Sequence, residues 1–178
     1  MCAADDAFDK SETPDETIEY DLDVEDVIAP EGAQLSVGDK APELAFRLAI
    51  GDVELKLSNL LTSGPVLLNF IKGTWCPFCQ KHLKNLKSWT NTLSGKKVAI
   101  LGVTNDSTTM IRAWLRSHPI DFMFGAVERP EYFKAWGVAI DSQAFPRPAT
   151  FLIDQDHTIR FVHNETRGKK FEALKSKV

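Results

Sequence analysis

The residues of this chain best suited to reversible chemistry are Cys76 and Cys79, set in the run Lys72-Gly73-Thr74-Trp75-Cys76-Pro77-Phe78-Cys79. Two thiols separated by two residues lie within bridging reach of each other. The run follows the apolar stretch 65–71, so the pair falls where a buried strand ends and a helix begins. That position aims one sulfur at the positive end of a helix dipole, which favours the reactive thiolate. The chemistry this predicts is thiol–disulfide exchange. A four-cysteine zinc site within the chain is excluded, because the only other cysteine is Cys2. His82 completes a Cys-x-x-Cys-x-x-His spacing, but no fourth ligand accompanies it, and a histidine at a helix edge is expected to be solvated. No metal and no cofactor is expected.

The two sulfurs are predicted to differ. Cys76 sits at the helix tip, exposed, with a pKa below the ~8.5 of a free thiol. Cys79 lies one turn further in, on an apolar stripe with Leu83, Leu86 and Leu93. The asymmetry assigns attack to Cys76 and resolution of the covalent intermediate to Cys79.

The elements that must hold this pair can be read around it. Residues 66–71 form a continuous apolar run too short for a helix, as suits a central strand covered on both faces. A helix is expected over 77–93, with Pro77 in its first turn, where a missing N–H is no loss. Before these come an opening turn at 37–42, a hairpin over 44–57 around Gly51-Asp52, and a short helical turn capped by Ser58. After them come a strand at 97–103, a helix capped by Asp106 or Ser107, a short strand at 122–124 and a helix at 131–136 stopped by Gly137. Two strands at 149–153 and 158–162 and a last helix at 169–175 complete the order. Phe122, Phe124, Tyr132, Phe133 and Trp136 read as core. The alternation argues for an α/β fold, a mixed sheet flanked by helices.

Charge divides the chain. Residues 1–31 hold 12 acidic side chains and one Lys, whereas 32–178 hold 13 acidic and 20 basic ones. The acidic segment has too little apolar surface to offset its ordering entropy. Residues 1–36 are therefore expected to be a flexible arm and 37–178 the folded domain. The basic body has no Lys/Arg run interleaved with aromatics, so nucleic-acid binding has no support. No apolar stretch reaches the length of a membrane span. The opening residues lack a secretory pattern, which favours a cytoplasmic setting; an exported or lipid-anchored protein would follow had a signal been removed ahead of Cys2.

The order of elements, the Trp-Cys-Pro-Phe-Cys junction and Pro148-Ala149-Thr150-Phe151-Leu152-Ile153-Asp154 some 70 residues later resemble the thioredoxin superfamily. Val37-Gly38-Asp39-Lys40-Ala41-Pro42 and the cysteine run resemble its redoxin branch, the alkyl hydroperoxide reductase/thiol-specific antioxidant proteins. The resemblance covers 37–178. It implies a thioredoxin-like fold with an N-terminal hairpin extension and a Cys76/Cys79 dithiol–disulfide cycle. The substrate would be a protein disulfide or a small oxidant, and a dithiol would donate electrons. It also implies that Pro148 is a cis-proline presenting backbone to substrate, and that Trp75 forms part of the rim of the sulfur site. Arg147 and Lys72 would either stabilise a thiolate, hold an anionic substrate, or be merely solvated. The peroxidase pattern Pro-x-x-x-Thr/Ser-x-x-Cys is broken, since Asn69 and Gly73 stand at its first two positions. Thr74 is the available stand-in donor for a peroxide, which needs donors on its oxygens. A thiol peroxidase and a non-enzymatic redox-sensing module remain the alternatives to the exchange enzyme.

Overall fold

The computed structural model describes residues 35–164. Residues 1–34 of the expected arm, Cys2 among them, and the final helix at 169–175 lie outside the described residues; Leu35, expected in the arm, packs against the core.

Strand β3 (Val66–Phe70) is buried along its whole length and lies inside a seven-stranded sheet ordered β2-β1-β5-β4-β3-β6-β7. Its neighbours are β4 (Ala99–Thr104), parallel, and β6 (Ala149–Ile153), antiparallel. Beyond β4 lies β5 (Met123–Ala126), also parallel, and beyond β6 lies β7 (Ile159–Asn164), antiparallel. The parallel strands are joined by helices, α2 (Pro77–Gly95) between β3 and β4 and α3 (Thr108–Ser117) between β4 and β5. A parallel pair requires such a crossover. The predicted hairpin is present as β1 (Ala45–Leu48) and β2 (Glu54–Lys56), with Gly51 and Asp52 at positive φ in its turn. β1 also pairs with β5, which joins the hairpin to the main sheet. This is the mixed α/β arrangement the sequence implies.

Local signals explain several boundaries. Ser107 caps α3 by accepting the Met110 N–H at 3.2 Å. The short helix α4 (Glu131–Ala135) is followed by Gly137 at φ 65°. Ser58 is not the cap of α1 (Leu57–Leu61): the cap is Lys56, whose backbone N–H donates to Asn59. The helix starts earlier because Leu57 is fully buried and must turn into the core at that point.

Period-two alternation in β3 decides what faces the cysteine helix. Val66, Leu68 and Phe70 face a core with Phe133, Trp136 and Phe151. Leu67 faces the other way, packed with Cys79, Leu83, Leu86 and Leu93 of α2. Asn69 shares the face of Leu67, which places a fully buried amide beneath α2. Of the aromatic residues expected in the core, Phe124, Phe133 and Trp136 are buried, and Phe122 and Tyr132 are half-buried.

Candidate active site

Cys76 is the N-cap residue of α2, with extended backbone, and Pro77 fills the first helical position. Both thiols are free and buried in this structure. Cys79 is 1% exposed, as expected of the inner sulfur. Cys76 is 5% exposed, so the expectation of an exposed helix-tip thiol is corrected. It belongs to the buried cluster of Leu67, Ile71, Cys79 and Leu152, and its N–H donates to the Gly73 carbonyl at 3.2 Å. Burial alone would raise the pKa of a thiol. Here a hydrogen bond from the Cys79 thiol outweighs burial. The N–H groups of Cys79 and Phe78 and the charge of Lys72 act in the same sense, and together they lower Cys76 from 9.0 to about 6. The Cys79 sulfur in turn accepts the Lys72 N–H at 3.3 Å.

The preceding turn is clamped from two sides. Thr74 donates both its N–H and its hydroxyl to Asp106 Oδ2, at 2.7 and 2.8 Å, and accepts the Gln80 amide at 2.7 Å. Asp106 is buried in the β4–α3 loop. The Thr74 hydroxyl proton is therefore engaged, which corrects the expectation that Thr74 would stand in as a donor to peroxide. Gly73 makes room for Trp75: a Cβ there would lie 2.2 Å from the indole Nε1. The Trp75 ring, 54% exposed, meets Phe145 edge-on with centroids 5.5 Å apart. Lys72 Nζ lies 5.3 Å from the same Phe145 ring.

Arg147 and Pro148 are placed differently from expectation. Every described peptide bond is trans, Arg147–Pro148 included. Trans is the ground state of an X–Pro bond by about 0.5–1 kcal/mol. Here the Arg147 N–H donates to the Val138 carbonyl at 2.7 Å, tying the segment to the end of α4. Arg147 is 4% exposed and burial lowers its pKa, so its guanidinium is not the solvated group that was one of the expectations.

The histidine expected to be solvated is not. His82 is 5% exposed, one turn beyond Cys79, and its Nε2 lies 3.1 Å from Asn69 Oδ1. That oxygen also accepts the Thr150 hydroxyl at 2.8 Å, while the Asn69 amide nitrogen donates to the Leu67 carbonyl at 3.1 Å. An amide oxygen only accepts, so His82 carries its proton on Nε2. Burial, with nearby His163 adding to it, pushes His82 down to about 4. Asn69, Thr150 and His163 stand in one register row across β3, β6 and β7. Two signals could have found this cluster: a lone Asn in an apolar strand, and a His at helical spacing on the buried stripe of Cys79.

The AhpC/TSA family profile matches residues 37–162, and the chain belongs to that family. The described fold is the thioredoxin-like one of that branch. The chain is 28% identical over 130 residues to the thiol:disulfide interchange protein DsbE of Escherichia coli, covering 71% of this chain and 64% of that protein's length. It is 25% identical over 134 residues to a Coxiella burnetii protein provisionally named peroxiredoxin bcp, covering 72% of this chain and 87% of the relative. Among solved structures, peroxidoxin BcpB of Mycobacterium tuberculosis superposes with a TM-score of 0.71 at 19% identity, covering 80% of this chain and 94% of that one. Among the described residues no helix is long and apolar enough to cross a membrane.

Proposed function

We propose that the protein is a thiol–disulfide oxidoreductase in which Cys76 is the nucleophile and Cys79 the resolving thiol. The observation that carries this reading is the Cys76 thiol at the N-cap of α2, lowered to about 6 and hydrogen-bonded by the Cys79 thiol. At neutral pH Cys76 is then largely a thiolate, and its partner already holds the proton on the inner side.

The cycle follows from that arrangement. The Cys76 thiolate attacks one sulfur of a substrate disulfide, forming a mixed disulfide and expelling the other sulfur as a thiolate. Cys79 then attacks Cys76 Sγ, expelling the second substrate thiol, and the Cys79 proton passes to that departing sulfur. Two electrons leave the protein, which ends as the 76–79 disulfide, and a dithiol donor restores it. Trp75, Thr74, Arg147 and Pro148 take distinct parts in this reading. Trp75 lines the approach to Cys76, and Thr74 fixes the turn ahead of it through Asp106. Arg147 and Pro148 hold the neighbouring segment from inside.

Disulfide is favoured over hydroperoxide because no side-chain hydroxyl in the turn before Cys76 is left to donate to a peroxide. Gly73 offers no hydroxyl, and the Thr74 hydroxyl is donated to Asp106. The test is trapping. Cys79→Ser incubated with a protein disulfide should accumulate a covalent complex through Cys76, seen by mass spectrometry under non-reducing conditions. Cys76→Ser should neither trap nor turn over. Steady turnover in Cys76→Ser would overturn the assignment.

A further inference from the structure

Beside the sulfur site runs a groove of about 800 Å³ whose walls include Phe133, Lys134, Ala139, Ile140, Asp141 and Phe145. It lies along the loop between α4 and β6 and begins at Phe145. That ring contacts Trp75, the residue before Cys76, and sits under the Lys72 ammonium. On the other side of Cys76, Phe78 is 47% exposed. A buried nucleophile is thus framed by exposed aromatic surface, and on one side that surface continues into a cavity. Such surface is costly to leave in water and marks a place of contact.

We infer that this groove is a substrate subsite that takes an extended peptide segment with a large apolar side chain and a carboxylate close to its disulfide-bonded cysteine. The inference rests on the dithiol cycle proposed above. Geometry names the occupant: once the mixed disulfide forms, the residues flanking the substrate cysteine are tethered to Cys76 Sγ. An extended chain advances only ~3.3 Å per residue, so the residues flanking the substrate cysteine on the Trp75 side reach Phe145 and the mouth of the groove. Phe133, Ala139, Ile140 and Phe145 supply an apolar bed for one side chain. Lys134 and Asp141 offset each other along the wall, so Lys72 at the Phe145 end sets the sign and favours a carboxylate on the substrate. A small hydroperoxide would leave this surface unused.

The probes are synthetic peptides carrying one cysteine as its mixed disulfide with 5-thio-2-nitrobenzoate, whose coloured thiol reports each exchange. One peptide flanks the cysteine with Phe and Glu, a second replaces Phe by Ser, and a third replaces Glu by Lys. The symmetrical small disulfide of the same chromophore serves as reference for Cys76 chemistry. With the wild-type protein, the Phe/Glu peptide should outrun the Ser peptide by roughly tenfold or more, the scale of burying one large apolar side chain. Phe145→Ala and, independently, Ile140→Ser should collapse that ratio towards unity. Lys72→Met should abolish the preference for Glu over Lys. Equal rates with all three peptides, while the small disulfide reacts, would overturn the groove alone. A Phe preference unchanged in both Phe145→Ala and Ile140→Ser would overturn it as well. Failure of the small disulfide and every peptide to react would overturn the dithiol cycle, and the groove with it.

Discussion

Acid should unfold this protein through His82. Its imidazole is 5% exposed and holds a pKa of about 4 because burial, with His163 nearby, disfavours the cation. In an unfolded chain the same group titrates at ~6.5. The native state therefore refuses a proton that the unfolded state accepts. The stability this represents is fully present above the unfolded value and is lost as pH falls through the folded one. Integrated from pH ~7 to pH ~4.5, this single group costs about 2.4 kcal/mol, a large share of a domain stability of about 5–15 kcal/mol. His82→Gln removes the titration while keeping an N–H that can reach the Asn69 oxygen. Urea unfolding of both proteins at the two pH values gives a double difference in which Cys76 and the surface carboxylates cancel, leaving His82 and its coupling to His163. The wild type should lose about 2 kcal/mol more than the variant on acidification. Equal losses would mean that His82 titrates as an ordinary exposed imidazole, and the buried-network reasoning would fall.

Alkylation of reduced protein by iodoacetamide should rise with a midpoint near pH 6 for Cys76, and a midpoint at the free-thiol value would contradict the helix-tip account. By the same linkage, reduced protein should gain stability relative to the disulfide form as pH rises from about 6 to 9, read as a widening gap in thermal midpoints. Asp106→Ala removes the shared acceptor of two Thr74 donors, so a loss of roughly 2–3 kcal/mol in urea unfolding is expected, with slower attack by Cys76. A loss below ~0.5 kcal/mol would show that the turn is held without it. Since the Arg147–Pro148 bond is trans, Pro148→Ala should cost under about 1 kcal/mol, an effect of chain entropy. A severalfold larger loss would mean that the proline ring holds the loop in some further way.

What the sequence made legible was what periodicity and end signals encode. The apolar run of β3, the stripe Cys79-Leu83-Leu86-Leu93, Ser107 as one of two candidate caps and Gly137 as a stop all depend on neighbours in the chain, and each is where the pattern allows it. The cysteine pair was legible for the same reason, because a strand-to-helix junction is a local event. What escaped depended on partners far away in sequence. Asp106 meets Thr74 across 32 positions and Thr150 meets Asn69 across 81, and no local spacing announces either. His82 was misplaced because a histidine on a helix between lysines looks solvated until Asn69 is known to lie beneath it. Cys76 was expected in the open because a helix tip usually is; its burial in the cluster with Ile71 and Leu152 is a tertiary effect.

The central claim, that Cys76 and Cys79 serve disulfide exchange rather than peroxide reduction, is tested most directly by stopped-flow oxidation of the reduced protein, followed by tryptophan fluorescence. Trp75 immediately precedes the reacting cysteine in the chain and makes the signal available. Hydrogen peroxide and an apolar peptide disulfide are compared at equal concentration near pH 7. The account predicts that the peptide disulfide oxidises the protein faster, and that the reaction is lost in Cys76→Ser and stalls at the mixed disulfide in Cys79→Ser. A peroxide rate exceeding the disulfide rate would contradict it and make the protein a peroxidase.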